Sequence, residues 1–162
     1  MIILPQNLKK FKSTHYLNCV LYKIRVIKMN EIFELSNLSL NSEKNKLIEC
    51  NKFLNEYGLS LSMKDIDSIV ERRTLALKNN KRIELDGGII DKVIREFFDS
   101  PYISNDDFIE TITEIIELFY YYKNETNDSI SDDDLLKLMR KYFDDFAHGD
   151  LDYLSRNFFR RN

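Results

Sequence analysis

From residue 41 onward, apolar residues recur every three or four positions in runs separated by short polar breaks, the period of helices that each bury one face. In "EKNKLIECNKFLNEY", Leu47, Cys50, Leu54 and Tyr57 form such a stripe; Ser42 stands where a hydroxyl cap is wanted, and Gly58 where a left-handed residue ends a helix. Ser62 is placed to cap "MKDIDSIVERRTLALK", with Ile66, Ile69, Val70 and Leu77 inward. "RIELDGG" breaks the helical pattern, and the alternation of Ile83 and Leu85 is compatible with a very short strand there. "IIDKVIREFF" carries Ile90, Val93, Ile94 and Phe97 as its stripe and ends at "DSPYIS", where Pro101 turns the chain out of helix. Ser104 opens the longest helix, "NDDFIETITEIIELFYYYKN", and Ser131 the next, "DDDLLKLMRKYFDDF", each with acids in the first turn to complement the helix dipole. Gly149 is the expected stop, after which "LDYLSRNFFRR" can fold Leu151, Leu154 and Phe158 back on the rest. Five to six helices with short connections predict an all-α, single-domain bundle.

The long helix is the most informative element. At about 100° per residue, Phe108, Ile112, Ile115, Phe119 and Tyr122 fall in one sector. Ile109, Ile116 and Tyr120 widen it on one side and Leu118 on the other. Tyr121 points the opposite way, among Glu110, Glu114 and Glu117. The run "FYYY" is therefore divided. Tyr120 and Tyr122 are expected at the edge of the core with their hydroxyls on polar partners. Tyr121 is left outside as an aromatic anchor for a partner, with the three glutamates as the surface around it.

Charge sharpens that picture. The overall balance of −3 hides two pieces: residues 1–28 hold six bases and no acid, and the remainder holds 18 bases and 27 acids, a balance of −9. Between Ser104 and Asp134 ten acids face a single base, Lys123. Such a face disfavours nucleic acid and suits a protein partner with a basic surface. Only the basic segment 1–28 could contact nucleic acid or an anionic surface. In that segment "VLYKIRVIK" alternates as a lone strand would, and no small-residue cleavage site follows to make it a signal peptide. The change of composition at "MNEIFELSN" suggests a start at Met29, so the expected organisation is a basic segment 1–28 and a helical domain 29–162. With 43% apolar residues the chain can bury one sizeable core. It has no run of 18 apolar residues to span a membrane. Two distant cysteines, Cys19 and Cys50, and two histidines make neither a disulfide framework nor a zinc site, which fits a reducing cytoplasm.

Three carboxylate patterns bear on metal chemistry. Residues 123–134 resemble a calcium-binding EF-hand loop, but Lys123 stands where the first carboxylate belongs, Asp128 where the turn glycine belongs, and Asp134 falls short of the closing glutamate. "DDFIE" has the form of a D-D-x-x-D motif, yet acids in a first turn are explained by the helix dipole. "EFFD" and "EIIE", with Glu96, Asp99, Glu114 and Glu117, resemble the paired motifs of all-α nucleotide pyrophosphohydrolases that hold magnesium, in reversed order. In an antiparallel hairpin turning near Pro101, Glu96 would lie level with about Phe108, which offsets the pairs by roughly 9 Å. "DGG" reads as a tight turn rather than a phosphate loop, and His148 as a favourable charge at a helix end. No catalytic triad and no cofactor is implied.

The strings "LNEYGLSLS", "RIELDGGII", "FFDSPYIS" and "FYYYKNETNDSISDDDLL" together resemble an uncharacterised family of small helical proteins from anaerobic Gram-positive bacteria, a domain of unknown function, over about residues 41–154. That resemblance implies a helical fold and no particular activity. The expected role is a small cytoplasmic protein-interaction or regulatory module using the acidic helix face. Two alternatives stand beside it: a divalent-metal-dependent phosphohydrolase built on Glu96, Asp99, Glu114 and Glu117, and a structural protein with no ligand.

Overall fold

The computed structural model describes residues 40–84 and 88–160. The basic segment 1–28, its strand-like stretch and the start suggested at Met29 lie outside the described residues.

Six α-helices account for the described part: α1 (40–54), α2 (Met63–Asn79), α3 (Ile90–Phe97), α4 (Phe108–Glu125), α5 (Asp132–Tyr142) and α6 (Leu151–Asn157). Among the described residues there is no strand, so the all-α expectation holds. The short strand considered at Ile83–Leu85 is not formed where it can be seen: Ile83 lies in irregular chain with 87% of its surface exposed, and Leu85 is outside the described residues. An isolated alternating pair with no neighbouring strand has nothing to bond its backbone to. Among the described residues no helix is long and apolar enough to cross a membrane.

Two of the expected caps form as the sequence dictates. Ser62 accepts the Asp65 amide while the Asp65 carboxylate accepts the Ser62 amide, a complete capping box at the start of α2. Ser131 accepts the Asp134 amide at 3.2 Å to open α5. Gly58, at φ +74°, ends α1 after a 3₁₀ turn at Asn55–Tyr57. Two starts differ from expectation. Residues 40 and 41 are already helical, so Ser42 sits inside α1 rather than at its cap. Ser104 caps a separate turn at 105–107, accepting the Asp107 amide, and α4 proper begins at Phe108. In both cases the start depends on where neighbouring chain allows the backbone to continue, which a local cap signal does not encode. Tyr57, expected on the buried stripe of α1, is 56% exposed; it lies in the terminal turn beyond the core, with its ring against the edge of Phe98 at 4.6 Å.

The core is the meeting of the predicted stripes. Leu47, Cys50 and Leu54 of α1, Ile66, Ile69 and Val70 of α2, and Ile90, Val93, Ile94 and Phe97 of α3 are all buried. They close around α4, which packs on α2, α3 and α6 and buries Phe108, Ile112, Ile115, Ile116 and Phe119. Asn51 ties the end of α1 to the α1–α2 connection by accepting the Leu61 amide at 2.7 Å and donating to the Leu61 carbonyl at 2.9 Å.

Past α5 the chain tightens its stop in steps. Phe143–Ala147 form a π-helical turn, His148 takes a left-handed conformation at φ +49°, and Gly149 follows at φ +88°. Gly149 is required for two reasons, since a Cβ there would come within 2.7 Å of the Cβ of Tyr102 as well as strain the backbone. Asp150 then caps α6 by accepting the Tyr153 amide at 2.8 Å. Leu154 and Phe158 turn inward as expected.

Candidate binding cleft

The outer face of α4 places Glu110, Glu114, Glu117 and Tyr121 at successive spacings of four, three and four residues. At about 1.5 Å per residue this is a seam roughly 16 Å long. It does not lie on an open helix surface. Arg72, Ala76, Asn79 and Asn80 of the α2 segment flank it on one side and Leu151, Asp152 and Ser155 of α6 on the other, enclosing a cleft of about 460 Å³. All four residues expected on the partner surface are thus brought to one concave site. α2 is held against α4 by their shared apolar contacts, and α6 by Tyr122, whose hydroxyl donates to the Leu154 carbonyl at 2.9 Å and whose ring stacks on Phe158 at 4.2 Å.

The cleft is electrostatically one-sided. Among the described residues, Glu110, Glu114, Glu117 and Asp152 line it together with one base, Arg72. Arg72 Nη1 lies 3.4 Å from Glu117 Oε1, with both side chains about half exposed. Glu114 titrates above the ordinary carboxylate range because burial desolvates it and Glu110 and Glu117 repel its charge; Arg72 works in the other direction without cancelling them. Tyr121 is 45% exposed at the wall, while its neighbours Tyr120 and Tyr122 are fully buried. Tyr121 stands outside as the helical wheel requires, whereas Tyr120 and Tyr122, expected at the edge of the core, lie fully inside it.

Next to Arg72 and Tyr121 in the chain, Arg73 and Tyr120 belong to a buried ionic cluster that periodicity and charge segregation do not reveal. Arg73, 3% exposed, bonds Glu43 of α1 through Nη1, Glu84 through Nη2 at 2.7 Å, and the Tyr120 hydroxyl through Nε at 3.3 Å. Tyr120 in turn donates to Glu84 at 2.8 Å. This cluster joins α1, α2, α4 and the chain after α2. Gly88 closes over it at φ +60°, and a Cβ there would meet Arg73 Nη2 at 2.7 Å. A signal was available: Arg73 lies four residues after Ile69 and four before Leu77, on the apolar stripe of α2. The adjacent Arg72 is rotated by about 100° and so reaches the cleft instead.

The other carboxylate patterns are dispersed. Glu96 lines a shallow depression of about 270 Å³ between α3 and α5, and Asp99 pairs with Arg140 at 2.8 Å. Glu114 and Glu117 belong to the cleft described above, so the four residues of the phosphohydrolase reading do not share one site. Among the described residues no three His, Cys, Asp or Glu side chains are grouped so as to hold a metal ion. In the EF-hand-like loop the chain supplies its own cation. The Lys123 ammonium, 6% exposed as a residue, donates to the Ile130 carbonyl at 2.7 Å and lies 2.9 Å from Asp132 and 3.4 Å from Asp128. The lysine that departs from the calcium pattern therefore fills the centre of the loop. Lys123→Met is expected to lower the unfolding free energy by about 1.5–3 kcal/mol, the range for a charge-assisted hydrogen bond, as measured by urea denaturation. His148 Nδ1 is 3.1 Å from both the Tyr102 hydroxyl and the Asp144 carbonyl, a contact that pins the π-helical turn to the α3–α4 connection.

A family model described as a family of unknown function matches residues 46–161. No curated protein and no solved structure matches the chain.

Proposed function

The chain belongs to the DUF6323 family, a family of unknown function, and on that premise we propose that it is a protein-interaction module whose α4 cleft receives a basic segment of a partner. The observation that carries this reading is the convergence of Glu110, Glu114, Glu117 and Tyr121 in one concave site, with Arg72 as the one base among the described residues that line it. A concave surface with an exposed aromatic at its wall and charges of one sign suits a segment that brings cations and some apolar surface. The apolar component is met by Ala76, Leu118 and Leu151, which also line the cleft. Like charges gathered in one cleft repel one another, so a cationic partner relieves a cost already present in the free protein. A cytoplasmic setting and a regulatory role fit this reading and go with it as part of the proposal.

The test is a crosslinking pull-down from the native cells with wild-type protein and with the double variant Tyr121→Ala, Glu114→Lys. Both positions are exposed, so the variant is expected to fold with a Tm close to wild type. The expected result is loss of the partner from the variant, since charge reversal at the centre of the cleft adds repulsion and the aromatic anchor is gone. A set of captured proteins identical for the two forms would sink the reading.

A further inference from the structure

Resting on the reading of the cleft as the binding surface, we propose that Arg72 is a built-in competitor: its guanidinium occupies the cation position in the free protein, and an arginine of the partner displaces it. Three observations converge. Arg72 comes from α2 and reaches Glu117 on α4, so the cleft already accommodates one guanidinium of the chain itself. The contact is loose, because 3.4 Å is long for a charge-assisted bond and both side chains are about half exposed, which places the pair in the class of weak surface ion pairs. Finally, among the described residues neither Glu110 nor Glu114 has an ion-pair partner, so the cleft keeps an excess of negative charge with Arg72 in place. A planar guanidinium can bridge two carboxylates and lie against an aromatic face, which an ammonium does less well, and Tyr121 on the same wall supplies such a face. The occupant is therefore an arginine-bearing peptide segment. Arg72 sets a threshold by making weak single cations compete with it.

Triarginine amide, titrated into the full-length protein at low salt, tests the exchange. Wild type, Arg72→Ala, Arg72→Gln and Lys137→Ala are compared by calorimetry. Lys137→Ala removes the same charge from an exposed position on α5 outside the cleft. Both Arg72 variants are expected to bind about two- to fivefold tighter than wild type, the range that corresponds to removing a surface ion pair, with a smaller change for Lys137→Ala. In wild type the Arg72 Nε–Hε resonance is expected to move toward that of free arginine as triarginine is added. Equal tightening by Lys137→Ala, weaker binding by the Arg72 variants, or an Arg72 resonance that stays put while triarginine binds would each overturn the competitor role and leave the cleft reading standing. Trilysine binding at least as tightly as triarginine would overturn the guanidinium preference. If triarginine bound neither wild type nor the Arg72 variants, or bound equally well to Glu114→Gln with Glu117→Gln, the cleft reading and the competitor role would fall together.

Discussion

Arg73→Ala is expected to lower the unfolding free energy by about 3–5 kcal/mol, the range for removing one partner of a buried ion pair. The effect is large because Glu43 is 1% exposed and one of its carboxylate oxygens, Oε2, has no hydrogen-bond partner even with Arg73 present. Without the guanidinium that carboxylate is a lone buried charge, and the Tyr120 hydroxyl and Glu84 lose the group that organises them. Urea denaturation at neutral pH measures the loss. Its pH dependence identifies the cause. Burial raises the Glu43 carboxyl above its ordinary 4.5, with Arg73 opposing, and the substitution removes that opposition. A group whose folded pKa is raised binds its proton more readily in the native state, so its contribution to stability is present at low pH and is lost as pH rises through the folded value. The destabilisation by Arg73→Ala is therefore expected to shrink on acidification from neutral pH toward 4.5. A loss that stayed constant over that window would show that the cost is packing rather than an unpaired charge. The same cluster explains why glycine stands at residue 88, where any side chain would press on the guanidinium.

Tyr122→Ala is expected to cost a similar amount, about 3–5 kcal/mol, in line with other large aromatic truncations in packed cores. Tyr122 is fully buried, stacks on Phe158 at 4.2 Å and meets the edge of Phe159 at 5.2 Å, and its hydroxyl bonds the Leu154 carbonyl. It is the attachment of α6 to α4, and α6 supplies Leu151, Asp152 and Ser155 to the cleft. Thermal or denaturant unfolding gives the magnitude, and hydrogen exchange gives the place: protection should fall first in α6. Tyr122→Phe keeps the ring stack and removes one hydrogen bond, so it should cost only about 1 kcal/mol. If Tyr122→Ala left α6 as protected as before, the helix would be held by other contacts and the cleft wall would not depend on this residue.

The long helix shows how far local pattern can reach. A 3.6-residue period assigns a direction to every side chain of α4, and Tyr120, Tyr121 and Tyr122 take the burial that period requires. Ser62 and Ser131 cap their helices because a hydroxyl and an amide three residues on are neighbours in any chain that turns there. The start of α1 and of α4 proper, and the exposure of Tyr57, are different in kind, since each depends on what lies beside the helix end. The same holds for carboxylates. Ten acids within Ser104–Asp134 read as one acidic surface, yet Asp128 and Asp132 serve Lys123, while Asp133 pairs with Lys92 of α3.

Periodicity, caps and charge segregation in the chain were enough to determine an all-α bundle, the identity of its buried stripes, and the exposed seam of Glu110, Glu114, Glu117 and Tyr121. Those properties depend on residues within a turn or two of one another. Only the tertiary structure decided that the seam lines a cleft rather than a convex surface, that Arg72 reaches across to Glu117, and that Arg73 stands buried between Glu43, Glu84 and Tyr120. These pairings join residues 11 to 47 positions apart for Arg73 and 45 apart for Arg72. Contacts at that separation follow from how helices pack, which no single helix's pattern contains.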